Sequence, residues 1–338
     1  MKAIRVLISD TYDPWFNLAT EDWIFRDLDP EQRILFLWRN QPTVVIGRSQ
    51  NPWVECHLEK MEKDQVLLAR RQSGGGAVFH NLGNTNFTFL SSKQNYNRNE
   101  NFDIIIQTLK KFNLDAYVSG RNDLVVKLSD HNGERKISGS AFRESNDRAF
   151  HHGTLLISTD MNRLQRYLNP HPKKLEAKGV ASVRSRVINL MDLNPDIQHE
   201  NLSEEIVNSF FGYYQQTGEI EYLDHSDLIQ LPQLKERYEL YKNWDWRFGQ
   251  TFEFTHQLET RFDWGLIDLR LNVDNGIIQS AECYSDCLYP ELIDYLKSVL
   301  KGIRYQSEDV LKALEDLESI EFKNEVDDLR GWLITEIG

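Results

Sequence analysis

The chain has few cysteines, no long apolar run and no excess of positive charge, and each absence removes a class of protein. Cys56, Cys283 and Cys287 are the only thiols in 338 residues. An odd, sparse set builds no disulfide framework, and Cys283 and Cys287 lack partner ligands at zinc spacing. No apolar stretch nears the ~18 residues of a membrane span. The opening MKAIRVLISDTYDPWF meets Arg5, then Ser9, Asp10 and Asp13, unlike the unbroken apolar core of a secretory leader. Together these absences place the protein in the cytoplasm, with reduced thiols and no membrane partner. Lys and Arg number 39 against 52 Asp and Glu, a net charge of −13. That argues against a nucleic-acid partner while leaving room for a local basic patch. The sequence holds no internal repeat and no low-complexity tract.

What is present suits a globular protein: 40% hydrophobic and 11% aromatic residues, in a length that suggests two domains. Asp13-Pro14 opens a helix whose Trp15, Leu18, Ala19 and Trp23 fall near one face. Residues 34–38, 43–46, 65–70, 77–79 and 86–90 read as strands, with Asn81-Leu82-Gly83-Asn84 as a turn. Residues 102–112 read as a helix, and 123–127 and 153–157 as strands with a polar loop region between them. A helix over 203–216 follows Asn201 or Ser203 as its cap. The pattern resets near 243–249. Strands at 252–258, 264–273 and 277–285 follow, with Asp274-Asn275-Gly276 as a tight turn, then helices at 290–300, 307–317 and 324–335. Helices and strands mix without strict alternation, which predicts an α+β fold. It comprises a large domain over 1–245 with mixed and antiparallel sheets and a small α+β domain over 250–338.

The densest signal is Arg70-Arg71-Gln72-Ser73-Gly74-Gly75-Gly76-Ala77-Val78-Phe79-His80. Three successive glycines cost backbone entropy, so a close approach or an unusual φ must require them. No Gly-Lys-Ser/Thr opens a helix here and no Gly-x-Gly-x-x-Gly register exists, so this is neither a P-loop nor a Rossmann turn. A loop whose backbone lies against an anion fits, with one inward arginine suiting phosphate or carboxylate. The glycines alone fit a solvated surface loop equally well. A second cluster tips the balance: Asn122-Asp123, Lys136, Ser138-Gly139-Ser140, Arg143 and His151-His152-Gly153. A lysine set against Ser-Gly-Ser is a phosphate candidate, and the paired histidines, if in a strand, point to opposite faces. A third feature is the basic stretch 173–187, with Lys178 near its centre, which reads as an exposed loop or as a flap over an anionic ligand.

In combination these motifs closely resemble the lipoate–protein ligase A family over the whole chain. They are joined by Asp13-Pro14-Trp15-Phe16-Asn17-Leu18-Ala19, Gly83-Asn84, His152-Gly153-Thr154-Leu155 and the stretch from Lys178-Gly179 to Arg186. The resemblance implies a catalytic domain of the biotin/lipoate ligase type. It implies two steps: lipoate and ATP give lipoyl-AMP with Mg²⁺ assisting, and the lipoyl group passes to a lysine. The acceptors it implies are lipoyl domains of 2-oxo-acid dehydrogenases and the glycine cleavage H protein. By resemblance Lys136 is catalytic. Arg71, Ser73, Gly76, Ala77, Val78, Phe79, Asp123, Lys136, Arg143 and Lys178 hold ATP or the adenylate. Leu18, Trp38, Arg71, Phe79, His80 and Lys136 hold lipoate. Mg²⁺ rides on the nucleotide phosphates, with Asp123 as the candidate carboxylate.

Two rivals share that fold. Octanoyl and lipoyl transferases of the superfamily use a cysteine thioester, yet no cysteine lies between 70 and 190. A transferase reading would therefore have to be cysteine-independent. Biotin ligases carry a Gly-Arg-Gly-Arg loop that this sequence lacks. A non-enzymatic lipoate-binding protein is the third reading, and the intact Lys136 region argues against it.

Overall fold

Alternation in one strand sets the architecture. In β2 (Arg33–Trp38), Leu35 and Leu37 join one apolar cluster, while Ile34, Phe36 and Trp38 join another. A strand buried on both faces belongs inside a sheet covered on both sides. The computed structural model describes residues 4–27, 29, 31–120, 122–128, 133–168, 187–248, 255–274, 276–315 and 322–337, without the side chains of 53, 54, 164 and 165. It places β2 in an eight-stranded mixed sheet of order β11-β1-β2-β6-β10-β9-β8-β7. The other strands are β1 (Ile4–Ser9), β6 (Asn84–Ser92), β7 (Ala116–Ser119), β8 (Asp123–Lys127), β9 (Glu134–Glu144), β10 (Arg148–Leu156) and β11 (Glu219–Leu223). β11, β1 and β2 are parallel, and the remaining pairs are antiparallel.

Helices α1 (Pro14–Asp27), α2 (Arg98–Lys111), α3 (His199–Tyr214) and α4 (Pro232–Lys242) cover the two faces. Phe102, Ile105 and Leu109 of α2 and Leu202, Ile206 and Phe210 of α3 pack on Leu35, Leu37, Phe87, Phe89 and Ile137. On the opposite face, Leu18, Trp23 and Phe25 of α1 and Leu234 and Tyr241 of α4 pack on Phe36, Trp38, Leu90 and Phe150. A small sheet, β4-β3-β5, stands beside this layer, built from β3 (Thr43–Ile46), β4 (Leu67–Arg70) and β5 (Val78–His80).

After the short helix α5 (Trp244–Phe248), a third sheet of β12 (His256–Phe262), β13 (Gly265–Asp274) and β14 (Ile277–Ser285) carries helices α6 (Pro290–Leu300), α7 (Ser307–Glu315) and α8 (Lys323–Ile337). It has its own core: Ile267, Leu269 and Leu271 against Leu292, Leu296, Val310, Leu329 and Leu333. The fold is α+β, as the sequence predicts. Among the described residues no helix is long and apolar enough to cross a membrane.

Three local expectations are corrected. The polar region between 127 and 153 is no loop over its described part: β9 and β10 form a long antiparallel hairpin there. Polar residues such as Ser138, Ser140, His151 and His152 persist inside these strands although they are buried. The cap of α3 is Gln198, and Asn201 acts from inside the first turn, its Oδ1 accepting from the Gln198 N–H at 2.9 Å. The first strand of the small domain begins at His256, and positions 252–254 of the expected strand lie outside the described residues.

Candidate functional site

Sheet register gathers the site onto one face. Cross-strand partners share a face, as do residues two apart along a strand. Phe36 pairs with Thr88 and Trp38 with Asn86; Thr88 pairs with His152, and His152 with Ala141. Gly139, Ala141 and Arg143 follow on β9. The face thus runs from Trp38 through Thr88 and His152 to Gly139, with α1 lying over it.

At one end sits Lys136, whose Nζ lies 2.6 Å from Asp123 Oδ1. Each side chain is 34% exposed, so the pair stands open to solvent. The backbone carbonyl of Lys136 accepts from the Ile188 N–H at 3.0 Å, and Lys136 bridges Val187. The end of the basic stretch is therefore tied to this lysine. Its residues 173–186, Lys178 among them, lie outside the described residues.

In the middle of the face runs a directed hydrogen-bond chain. Arg71 Nε donates to Ser73 Oγ at 3.0 Å, which leaves the hydroxyl proton for His152 Nε2 at 2.9 Å. His152 Nδ1 then donates to Glu21 Oε1 at 2.8 Å. Thr88 Oγ1 donates to the same carboxylate at 2.6 Å and accepts from Trp38 Nε1 at 3.3 Å. Arg71, Ser73 and Trp38 were legible in the sequence as candidates. Glu21 and Thr88 were not, and His152 stood out only as part of a motif. The available signal for Glu21 was an acidic pair, Glu21-Asp22, in the middle of an otherwise apolar helix.

His80 lies beside Trp38, with ring centroids 5.9 Å apart. Its tautomer is set by a relay. Asn17 Nδ2 donates to Asn40 Oδ1 at 2.9 Å, so Asn40 Nδ2 faces His80 Nδ1 at 3.2 Å and donates to it. The ring proton then sits on Nε2, which is buried without a partner. Burial, with the charge of Arg71 nearby, pulls the His80 pKa down to about 3, so the ring is neutral. Leu18 is buried in the cluster that includes Trp38.

The glycine loop is held from within. Both arginines beside it are buried, and burial lowers each pKa to about 10. Arg71 donates to the carbonyls of Val45, Gly74 and Gly76. Arg70 donates to the carbonyls of Arg48 and Gln50, and to Trp246 and Arg247 in α5. The sequence expectation that only one arginine faces inward does not hold, because Arg71 lies just past the end of β4. Gly75 adopts φ +90° and its N–H donates to the Cys287 carbonyl at 2.7 Å. A Cβ on Gly74 would lie 2.2 Å from that carbonyl oxygen. The close neighbour that excludes a side chain is here the small domain.

Several candidates stand elsewhere. Arg143 is turned to buried Asp22, Nη1 to Oδ1 3.1 Å, and lies over the Phe25 ring, seven positions along β9 from Lys136. Phe79 alternates away from Val78 and His80 and packs on Tyr167. Gly76, Ala77 and Val78 follow the arginine-held turn, with Val78 exposed. All three cysteines are buried, two of them in the small domain's core. Burial pushes the Cys56 thiol up to about 12 and Cys287 to about 11. Among the described residues no group of three or more His, Cys, Asp or Glu could hold a metal ion.

The sequence and the fold both match known proteins. Residues 13–211 match the family model of the lipoyl protein ligase A/B catalytic domain, and residues 251–333 that of the bacterial lipoate protein ligase C-terminus. The chain is 53% identical over 341 residues to lipoate-protein ligase A of Psychrobacter cryohalolentis, with 99% of each chain covered. It is 48% identical over 339 residues to that of Bdellovibrio bacteriovorus, covering 100% of this chain and 99% of the relative. The crystal structure of P. falciparum LipL1 in complex with lipoate is similar at a TM-score of 0.87 and 37% identity, over 98% of this chain and 100% of that one.

Proposed function

The chain belongs to the lipoyl protein ligase A/B family, and from that premise we propose that it activates lipoate with ATP and transfers the lipoyl group to protein lysines. The observation that carries the reading is the solvent-open Lys136 ammonium at one end of a sheet face whose other end is walled by Trp38, Leu18 and His80. A lipoyl adenylate has that polarity: an apolar chain joined to an anionic phosphate.

In the first step a lipoate carboxylate oxygen attacks the α-phosphorus of ATP, the bond to the β-phosphate breaks and pyrophosphate leaves. Lys136 faces the negative charge that grows on the phosphoryl oxygens, a role worth about 3 kcal/mol in comparable sites. In the second step the amine of an acceptor lysine attacks the lipoyl carbonyl, the bond to AMP breaks, and the amine proton passes to solvent. The alkyl chain gains up to roughly 0.8 kcal/mol per buried CH₂ along the apolar wall. His80 Nε2–H is a free donor for the ligand. Arg71 acts through the loop: by gathering the carbonyls of Gly74 and Gly76 it shapes the Gly76-Ala77-Val78 backbone that receives the adenylate.

Mg²⁺ belongs to this proposal as an ion carried by the nucleotide phosphates, where one protein carboxylate suffices and the half-exposed Asp123 fits. Bound there, it would neutralise phosphate charge. The basic stretch 173–187, with Lys178, serves as a cover for the adenylate. Residues 1–245 form the catalytic domain and 250–338 an accessory domain. The acceptors are lipoyl domains of 2-oxo-acid dehydrogenases and the glycine cleavage H protein, and the compartment is the cytoplasm, which suits three free thiols.

Incubation of the protein with a lipoyl domain, lipoate, ATP and Mg²⁺ should add one lipoyl mass to one acceptor lysine, and nothing when ATP is omitted. Transfer from a lipoyl donor without ATP would instead make it a cysteine-independent transferase, and binding without transfer a lipoate-binding protein.

A further inference from the structure

The residue opposite the Lys136 ammonium is a glycine, and the strand breaks its alternation to bring the two together. β8 and β9 pair Asp123 with Gly139 and Leu124 with Ser138, then skip a residue, so that Val125 pairs with Lys136. Strict alternation would have put Lys136 with Val126, facing the apolar core, and Ile137 on the site face. The one-residue bulge reverses both. Ile137 is fully buried in the core cluster with Leu124 and Val126. Lys136 comes to the face of Asp123 and Gly139. Bulges commonly re-aim a side chain in this way beside active sites.

The lysine then folds back along its own strand. A Cβ built on Gly139 would stand 2.9 Å from Lys136 Nζ, 3.1 Å from its Cε and 3.9 Å from Asp123 Oδ1. Gly139 has no backbone requirement for glycine, since it is not among the positive-φ residues. The missing side chain makes room for the ammonium alone.

We propose that the bulge, Gly139 and Asp123 form a seat for Lys136, in which Gly139 and Asp123 are positioning residues for adenylation. Asp123 draws the ammonium over Gly139, and Gly139 lets it lie flat on the strand. The lysine thus reaches the phosphate from a single direction instead of sampling the rotamers of a free four-carbon chain. This rests on the functional reading above. A displacement on the order of 1 Å at a reacting group costs up to ~10²-fold in rate.

The test is Gly139→Ala, which leaves both charged groups and the strand in place. Its kcat for lipoate-dependent pyrophosphate release should fall ~10- to 100-fold. Lipoate affinity by calorimetry and the melting temperature should stay close to wild type. Asp123→Asn should lose activity comparably, and Asp123→Glu should recover part of it. A readout free of turnover is competitive acetylation with acetic anhydride, mapped by mass spectrometry. Lys136 should react several-fold faster in Asp123→Asn than in wild type. A Gly139→Ala enzyme with wild-type kcat, or Lys136 acetylation unchanged in Asp123→Asn, would overturn the seat. Wild-type protein that releases no pyrophosphate would overturn the functional reading instead, while the acetylation contrast would still decide the seat.

Discussion

Lys136 is proposed to face the phosphate as a point charge, so its loss should be selective. Lys136→Ala should slow lipoyl-AMP formation by ~10²-fold or more with the fold intact. Lys136→Arg should also be poor, because a planar fork does not replace a point charge. Formation of lipoyl-AMP by Lys136→Ala at the wild-type rate would remove the assignment. The thiols should matter little. Cys56, Cys283 and Cys287 are buried and held in the protonated form. The triple alanine variant should retain both half-reactions while losing stability to the voids it leaves. Mass spectrometry that finds a lipoyl thioester on any of them would contradict this. Lys136, Ser73 and the glycines were legible as candidates because they stand together in dense motifs rather than singly. Glu21, Thr88 and Asn40 were not, since each meets its partner only after folding brings distant segments together. Arg70 and Arg71 were legible as important but not in kind: apart from Arg71 Nε to Ser73 Oγ, their described donors go to backbone carbonyls.

The β9–β10 hairpin shows why polarity misleads at the level of elements. Its sequence alternates polar and apolar residues without a solvent face, because one side meets α2 and the other carries the site. His151 marks the apolar side. Its ring sits among Phe87, Phe102 and Phe142 at centroid distances of 5.5, 4.6 and 4.7 Å, and neither nitrogen has a partner. Burial drives its pKa well below the ordinary 6.5. Below pH 6.5 the unfolded chain therefore binds a proton that the folded chain refuses, and stability falls as pH falls. Above pH 6.5 the effect vanishes. His80, lowered to about 3, and His199, lowered to about 4, act with the same sign. His151→Phe should remove one of these protons and an unpaired buried polar group. We expect it to stabilise the protein by ~1 kcal/mol at neutral pH, after some overpacking. Urea titrations at pH 7.5 and 5 should show a smaller loss on acidification than in wild type; equal losses would refute it.

Across the whole molecule, the two sheet systems have separate cores yet meet at the glycine loop. The Gly75 N–H donates to the Cys287 carbonyl, the Ser285 N–H to the Ser49 carbonyl, and Arg48 pairs with Asp294 at 2.5 Å. The sequence's ground for a division near 245–250 is that strand periodicity and a tight-turn signal restart there. The contact was not, since nothing in a Gly-Gly-Gly run says whether ligand or protein approaches it. Gly74→Ala must push the Cys287-Leu288 backbone aside. It should cost about 1–3 kcal/mol and raise protease sensitivity near α5; an unchanged melting temperature and cleavage pattern would show that the contact is dispensable. At this scale the proposal is that one chain performs both activation and transfer, with the adenylate held on the protein between the two steps. Its most direct test is pyrophosphate release from ATP and lipoate with no acceptor protein present. A lipoate-dependent burst of pyrophosphate should appear, matched by protein-bound lipoyl-AMP of equal amount. Pyrophosphate that appears only once a lipoyl domain is added, or not at all, would contradict it.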